Sequence, residues 1–114
     1  MSGIGLDGGT NHTISDNILT RAQQGIKLEN CTAATVSNNT ADSIANLALH
    51  INSGRNHTVS GNNFSRNQQG MKIQNASNVS VTNNTTDSNE LHGIELSTLD
   101  SVFVSGNRAH ANPQ

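Results

Sequence analysis

Apolar residues along this chain fall in pairs separated by one polar or small residue, and the pairs recur at a nearly constant distance. Ile4/Leu6, Ile26/Leu28, Leu49/Ile51, Met71/Ile73 and Ile94/Leu96 follow one another at sequence intervals of 22, 23, 22 and 23. A second column, Ile14, Val36, Val59, Val81 and Val104, repeats the same intervals. Self-similarity at such a period means stacked supersecondary units. Strict alternation puts both members of a pair on one face of a strand and the residue between them on the other. No helical periodicity competes over a comparable stretch.

Superposing the repeats predicts one coil per interval, with three short strands in each. The first reads Gly25-Ile26-Lys27-Leu28 in one coil and Gly70-Met71-Lys72-Ile73 in another. The second reads Thr35-Val36-Ser37 or Thr58-Val59-Ser60, apolar residue inward and hydroxyls outward. A shorter third run places Leu19, Ala41, Phe64, Thr86 and Ala109 inward. Such strands cannot bury their inner faces alone, but stacked coils can, as parallel sheets with strands about 4.8 Å apart. Two residues beyond each second strand comes an asparagine: Asn17, Asn39, Asn62, Asn84 and Asn107. Asparagine tolerates the left-handed turn conformation, and its amide can bond the equivalent residue one coil away. These five positions are therefore expected to form a structural ladder.

The intervals alternate because the longer unit is a pair of coils. The stretches Asn11 to Asn30 and Asn56 to Asn75 are identical at more than half of their positions, which a two-coil duplication explains. At 114 residues the chain has room for one domain. No residues before Ile4 or after Ala109 read as a capping helix, so a segment of a longer solenoid, or a unit that stacks end to end with its own copies, is expected.

The combination of a GIxL-type strand, a VxxN-type turn and this coil length resembles the right-handed parallel β-helix of the pectin-lyase-like superfamily, from Ile4 to about Ala109. The resemblance implies an all-β solenoid of about five coils. That superfamily includes polysaccharide lyases, glycoside hydrolases, alginate epimerases, phage tailspikes, adhesins and accessory proteins of metal insertion. It implies a polysaccharide partner, an extracellular, cell-surface or virion setting, and a cleft along the outward face of the first sheet. The calcium-binding nonapeptide and the hexapeptide rhythm of other solenoids are both missing from the sequence.

Composition narrows the partner. Charged residues are 12% of the chain and the net charge is −2, which leaves no electrostatic footprint for nucleic acid or an anionic membrane. The aromatic residues are Phe64 and Phe103, too few to stack bases or sugar rings. A mean hydropathy of −0.51 would suggest disorder without the periodic apolar positions. The single cysteine, Cys31, falls in a turn and reads as an ordinary thiol. The opening residues MSGIGLDGG do not read as a signal peptide.

Candidate chemistry sits on the outward side of the first strands. Gly5, Lys27, His50, Lys72 and Glu95 form one row there. Arg21 and Arg66, six residues before each lysine, are expected to flank it, and Asp7 and Glu29 begin a parallel row. A line of Lys, His and Arg suits an acidic polysaccharide, whose carboxylates it can hold and polarise. An active lyase or epimerase-like enzyme is the alternative. Against it, the sequence has no tyrosine and no epimerase-type DPHD signature. It is also expected to place no two acidic residues on adjacent first-sheet rungs, which would leave paired-carboxylate hydrolysis without its groups. His12 and His57 occupy one slot in two coils and read as inward or rim residues that bond the backbone, too far apart for one metal ion. Neither metal nor cofactor is expected. Finally, Thr13, Thr35, Thr58, Ser80 and Phe103, beside Ser15, Ser37, Ser60, Thr82 and Ser105, make two hydroxyl-rich columns that resemble an ice-binding face.

Overall fold

The computed structural model describes residues 2–91 and 93–110. The first coil contributes β1 (Ser2–Asp7), β2 (Thr13–Ser15) and β3 (Ile18–Thr20), and the second β4 (Gln24–Glu29), β5 (Thr35–Ser37) and β6 (Thr40–Asp42). The third supplies β7 (Leu47–Asn52), β8 (Thr58–Ser60) and β9 (Asn63–Phe64). Two long strands follow, β10 (Gln69–Thr82) and β11 (Ile94–Ser105). Every pairing is parallel and joins equivalent positions of successive coils, as Ile26↔Leu49 and Val36↔Val59 illustrate. The first wall stacks β1, β4, β7, β10 and β11. The second wall stacks β2, β5, β8 and the later halves of β10 and β11. The third stacks β3, β6 and β9, continued by single bridges from Asn63 to Thr85 and Arg108. The result is a parallel β-solenoid whose rungs climb about four turns.

The expectation of three short strands in every coil holds for the first three only. In β10 and β11 the first and second strands run together around the corner, with Ala76↔Leu99 and Ser77↔Asp100 in register. Lower down, the same corner keeps only isolated bridges, Thr10↔Thr32↔Arg55↔Ser77. The corner column explains the difference: it reads Gly9, Cys31, Gly54, Ala76, Leu99. Gly9 and Gly54 have φ of 87° and 96°, which interrupts a ladder on both of their sides. Ala76 against Leu99 is the first contact in which neither partner is a left-handed glycine.

The interior is filled by the predicted columns. Ile26, Leu28, Leu49, Ile51, Met71 and Ile73 line the first wall, Val36, Val59 and Val81 the second, and Phe64 the third, all fully buried. At roughly 25 cal/mol per Å² of apolar surface, each contributes about 1.5–3 kcal/mol over remaining exposed. On the final described rung the inward Val104 is 47% exposed, because it has a stacked neighbour on one side only.

The asparagine ladder is present, with one correction to its geometry. Asn62 Oδ1 accepts from the main-chain N–H of Asn39 at 2.9 Å and from its Nδ2 at 3.0 Å. Asn62 Nδ2 donates to the Val36 carbonyl at 2.9 Å and to Asn84 Oδ1 at 2.8 Å. Asn17 and Asn107 close the series in the same way. The ladder residues themselves are not left-handed. That conformation belongs to the residue before each, Asp16, Asn38, Gly61, Asn83 and Gly106. The turn is made one position early, which frees the asparagine to point inward.

A second ladder, not anticipated from the sequence, follows the third wall. Asn67 Oδ1 accepts from the Ile44 N–H at 2.8 Å, and Asn89 Oδ1 from the Asn67 N–H at 2.9 Å. Their Nδ2 groups donate to the carbonyls of Ala41 and Phe64. The available signal was Asn67, Asn89 and Asn112, each five residues beyond a first-ladder asparagine. It was obscured because Ala22 and Ile44 fill the slot in the first two coils. Asn112 lies outside the described residues.

Candidate functional site

Alternation on the first wall turns the middle residue of each apolar pair outward, and the parallel register then stacks those residues. Gly5↔Lys27, Lys27↔His50, His50↔Lys72 and Lys72↔Glu95 are all register partners, so the row is continuous over five rungs. Lys27, His50 and Lys72 are each half-buried. Beside this row runs Asp7↔Glu29↔Asn52↔Gln74↔Ser97. Lys27 Nζ approaches Glu29 Oε1 at 3.8 Å. Lys72 makes no ion pair among the described residues. Gln74 Nε2 stands 3.5 Å from His50 Nε2. Partial burial, then the charges of Lys27 and Lys72, hold the His50 imidazole below the usual histidine range, and Glu29 opposes them weakly.

The parallel row corrects one sequence expectation. Asp7 and Glu29 are register partners on adjacent rungs of the first wall. The central row places no acidic residues on adjacent rungs, but the row that Asp7 and Glu29 begin does. Asp7 is exposed and accepts from Asn30 Nδ2 at 3.5 Å, and Glu29 faces Lys27. Hydrolysis by a carboxylate pair needs one acid kept protonated by an apolar setting. Neither carboxylate is buried enough to supply that setting.

Arg21 and Arg66 stand at the corner between the third wall and the first, at φ of 57° and 60°. The Arg66 guanidinium forks onto Asp42 of the preceding coil, with Nε–Oδ1 at 3.0 Å and Nη2–Oδ2 at 3.1 Å. Its hydrogen bonds hold the Asp42 carboxyl below the ordinary carboxylate range. Arg66 is thus engaged along its own corner column rather than turned toward the lysine row. Arg108 makes a comparable contact with Asp87 at 3.0 Å.

The histidine slot has a structural explanation. His57 is 1% exposed, and its Nδ1 accepts the Ala34 N–H from the coil before at 3.3 Å. Its other nitrogen, Nε2, is buried without a hydrogen-bond partner, and burial holds the ring below the usual histidine range, with the Ser53 backbone opposing it. A Cβ on Gly54 would lie 2.8 Å from that nitrogen and would collide with the Cys31 carbonyl. The imidazole therefore fills space that glycine vacates. Gly9 and His12 repeat the pairing, with His12 Nε2 3.0 Å from the Gly8 carbonyl. In the intervening coils the same corner is filled by Cys31 with Ala34, and Ala76 with Val79. Burial pushes the Cys31 thiol up, and its sulfur lies 3.3 Å from the Gly8 carbonyl, the setting of a packing thiol.

On the second wall the hydroxyl columns are in register, Thr13↔Thr35↔Thr58↔Ser80↔Phe103 and Ser15↔Ser37↔Ser60↔Thr82↔Ser105. Among the described residues no cavity is enclosed and no three metal-ligating side chains converge.

No curated protein and no solved structure matches the chain. A family description does match, as a right-handed β-helix region spanning residues 2–114. With three parallel walls and an internal asparagine ladder to accompany that match, the chain belongs to the right-handed β-helix family.

Proposed function

We propose that this protein is a polysaccharide-binding β-helix module, serving as the scaffold or stalk of an extracellular carbohydrate-active, tailspike or adhesin-type assembly. The observation that carries the reading is the unbroken row Lys27–His50–Lys72 on adjacent rungs, bordered by the amides of Asn52 and Gln74. Rungs about 4.8 Å apart put the two lysines about 10 Å from one another, a separation of the order of two sugar units of an extended uronate polymer. The cations supply attraction for carboxylates, and the amides supply hydrogen bonds for hydroxyls. An open face with no enclosed cavity favours a chain lying along it over a small molecule enclosed by it.

Titration calorimetry against polygalacturonate, alginate and neutral glucans tests this directly. Binding is expected for the acidic polymers alone, to weaken with added salt, and to fall several-fold in Lys27→Gln and in Lys72→Gln. Binding of none of them, or equal affinity for neutral glucans, overturns the reading. Ultraviolet absorbance of unsaturated products in the same samples tests the enzymatic alternative. A second reading is favoured by the hydroxyl columns of the second wall, which could order water on a regular lattice. Thermal hysteresis without polysaccharide binding would establish it.

A further inference from the structure

His50 is the member of the lysine row that sequence chemistry explains least. An outward lysine or glutamine would have served a purely structural strand position, and either neighbour on the row is a lysine. The groups that face it can be named from each packed strand. β4 contributes Lys27 and Glu29, β10 contributes Lys72 and Gln74, and its own strand contributes Asn52. Glu95 on β11 and Asp7 on β1 stand one place further out on either side. Two cations therefore border the ring directly, against a single diagonal carboxylate that Lys27 already engages. Gln74 turns its amide nitrogen toward His50 Nε2, an arrangement that suits the neutral ring; a half-turn of that amide would offer Oε1 to the charged one.

Resting on the proposed polysaccharide reading, we infer that His50 is a proton-coupled third cation of the row: an acidic polymer seated across Lys27 and Lys72 draws a proton onto the imidazole, so that the site binds more tightly as pH falls from 7.5 to 5.5. Burial and, after it, the two lysine charges disfavour the protonated ring; a ligand carboxylate placed between the lysines offsets their repulsion and adds an attraction of its own. Linkage makes the effect reciprocal, since a ligand that favours the proton is favoured by it equally. The pH window follows from what else can titrate. Lysines remain charged far above pH 8, and carboxylates, including those of the polymer, ionise near or below pH 4.3. Within the row only histidine changes charge between about pH 5 and 8. The affinity gain is complete below the midpoint of the free protein and vanishes above the midpoint of the complex. A rise of about one unit in that midpoint corresponds to about a tenfold gain in affinity.

The test is an NMR titration of the histidine ring protons in the full chain, free and saturated with polygalacturonate, together with affinities at pH 5.5 and 7.5. His50→Gln identifies the resonance and separates it from those of His12, His57, His92 and His110. The expected result is a midpoint for His50 that rises by about one unit on saturation, and a 5.5-to-7.5 affinity ratio of up to about ten. In His50→Gln that ratio should fall to about one. In the free protein, Lys27→Gln should raise the His50 midpoint without any ligand. Polymer binding with equal affinity at both pH values, or an unmoved midpoint, overturns the inference and leaves the polysaccharide reading standing. Failure to bind at either pH overturns both.

Discussion

The first wall's row and the asparagine ladder share one register but use their polar groups in opposite ways. Inside, Asn62 is 2% exposed, and both its amide groups are occupied, by Asn39, Val36 and Asn84. Outside, on the same stack of coils, Lys72 has no ion pair among the described residues, and His50 has one long contact to Gln74. The inner row is closed, since any removed group orphans a buried partner. The outer row is open, and its unfilled hydrogen-bonding capacity is what a ligand would use. The coil is held from within, so its outward positions are free to vary in chemistry.

The strongest way to break the contrast is Asn62→Leu. It leaves the Asn39 N–H without its acceptor in the interior, and it takes the side-chain donor from the Val36 carbonyl and from Asn84 Oδ1, which keeps the main-chain N–H of residue 62. At about 1–3 kcal/mol for a buried group left unpaired, with a smaller loss where one of two donors is removed, a loss of about 2 kcal/mol or more is expected, measured by urea unfolding. A loss under about 1 kcal/mol would mean that the ladder is incidental.

Acid should sharpen the contrast next, through the two histidines held below their usual range. His57 is neutral and buried with Ala34 donating to it, and His50 is half-exposed between lysines. For such a base the unfolded chain takes up a proton more readily than the fold does. The stabilisation is complete above the unfolded value near 6.5, declines as pH falls below it, and levels off beneath the folded value. Urea midpoints should drop between pH 7.5 and 5, with most of the drop removed in His57→Val. That variant is also expected to be less stable at pH 7.5, since the Ala34 N–H loses its acceptor. An unchanged pH slope in His57→Val would assign the effect elsewhere.

Lys72→Gln is expected to change stability by no more than about 0.5 kcal/mol, as surface replacements do, while weakening polymer binding. Parallel unfolding and binding curves separate the two effects. Arg66→Gln should have the smallest consequence, a slight drop in the urea midpoint that vanishes in high salt, because its partner Asp42 is also at the surface.

What was legible in the sequence is what repeats. The apolar columns, the first ladder and the outward row all recur once per coil, and a parallel register converts that interval directly into contact. What escaped was present in only some coils. The second ladder begins at Asn67, because Ile44 and Ala22 hold its place lower down. The Gly54–His57 exchange is a compensation between two positions three apart, invisible when each column is read singly. The fused strands depend on two consecutive corners lacking glycine. The row that Asp7 and Glu29 begin was itself legible, and the parallel register makes its two carboxylates neighbours.

The alternating corner also determines how a molecule of this kind can be lengthened. The buried imidazole of His57 has a small corner below and above it, Ala34 beneath and Val79 over it. Copying a single histidine-bearing coil would stack one large ring on another and set one strand-breaking glycine against the next. Copying a pair, such as the span from Asn11 to Arg55, preserves the alternation of large and small. The natural increment of growth is therefore the pair of coils. Spacers lengthened by whole pairs should keep their outer rows aligned, whereas those built from single repeats should fail at the corner.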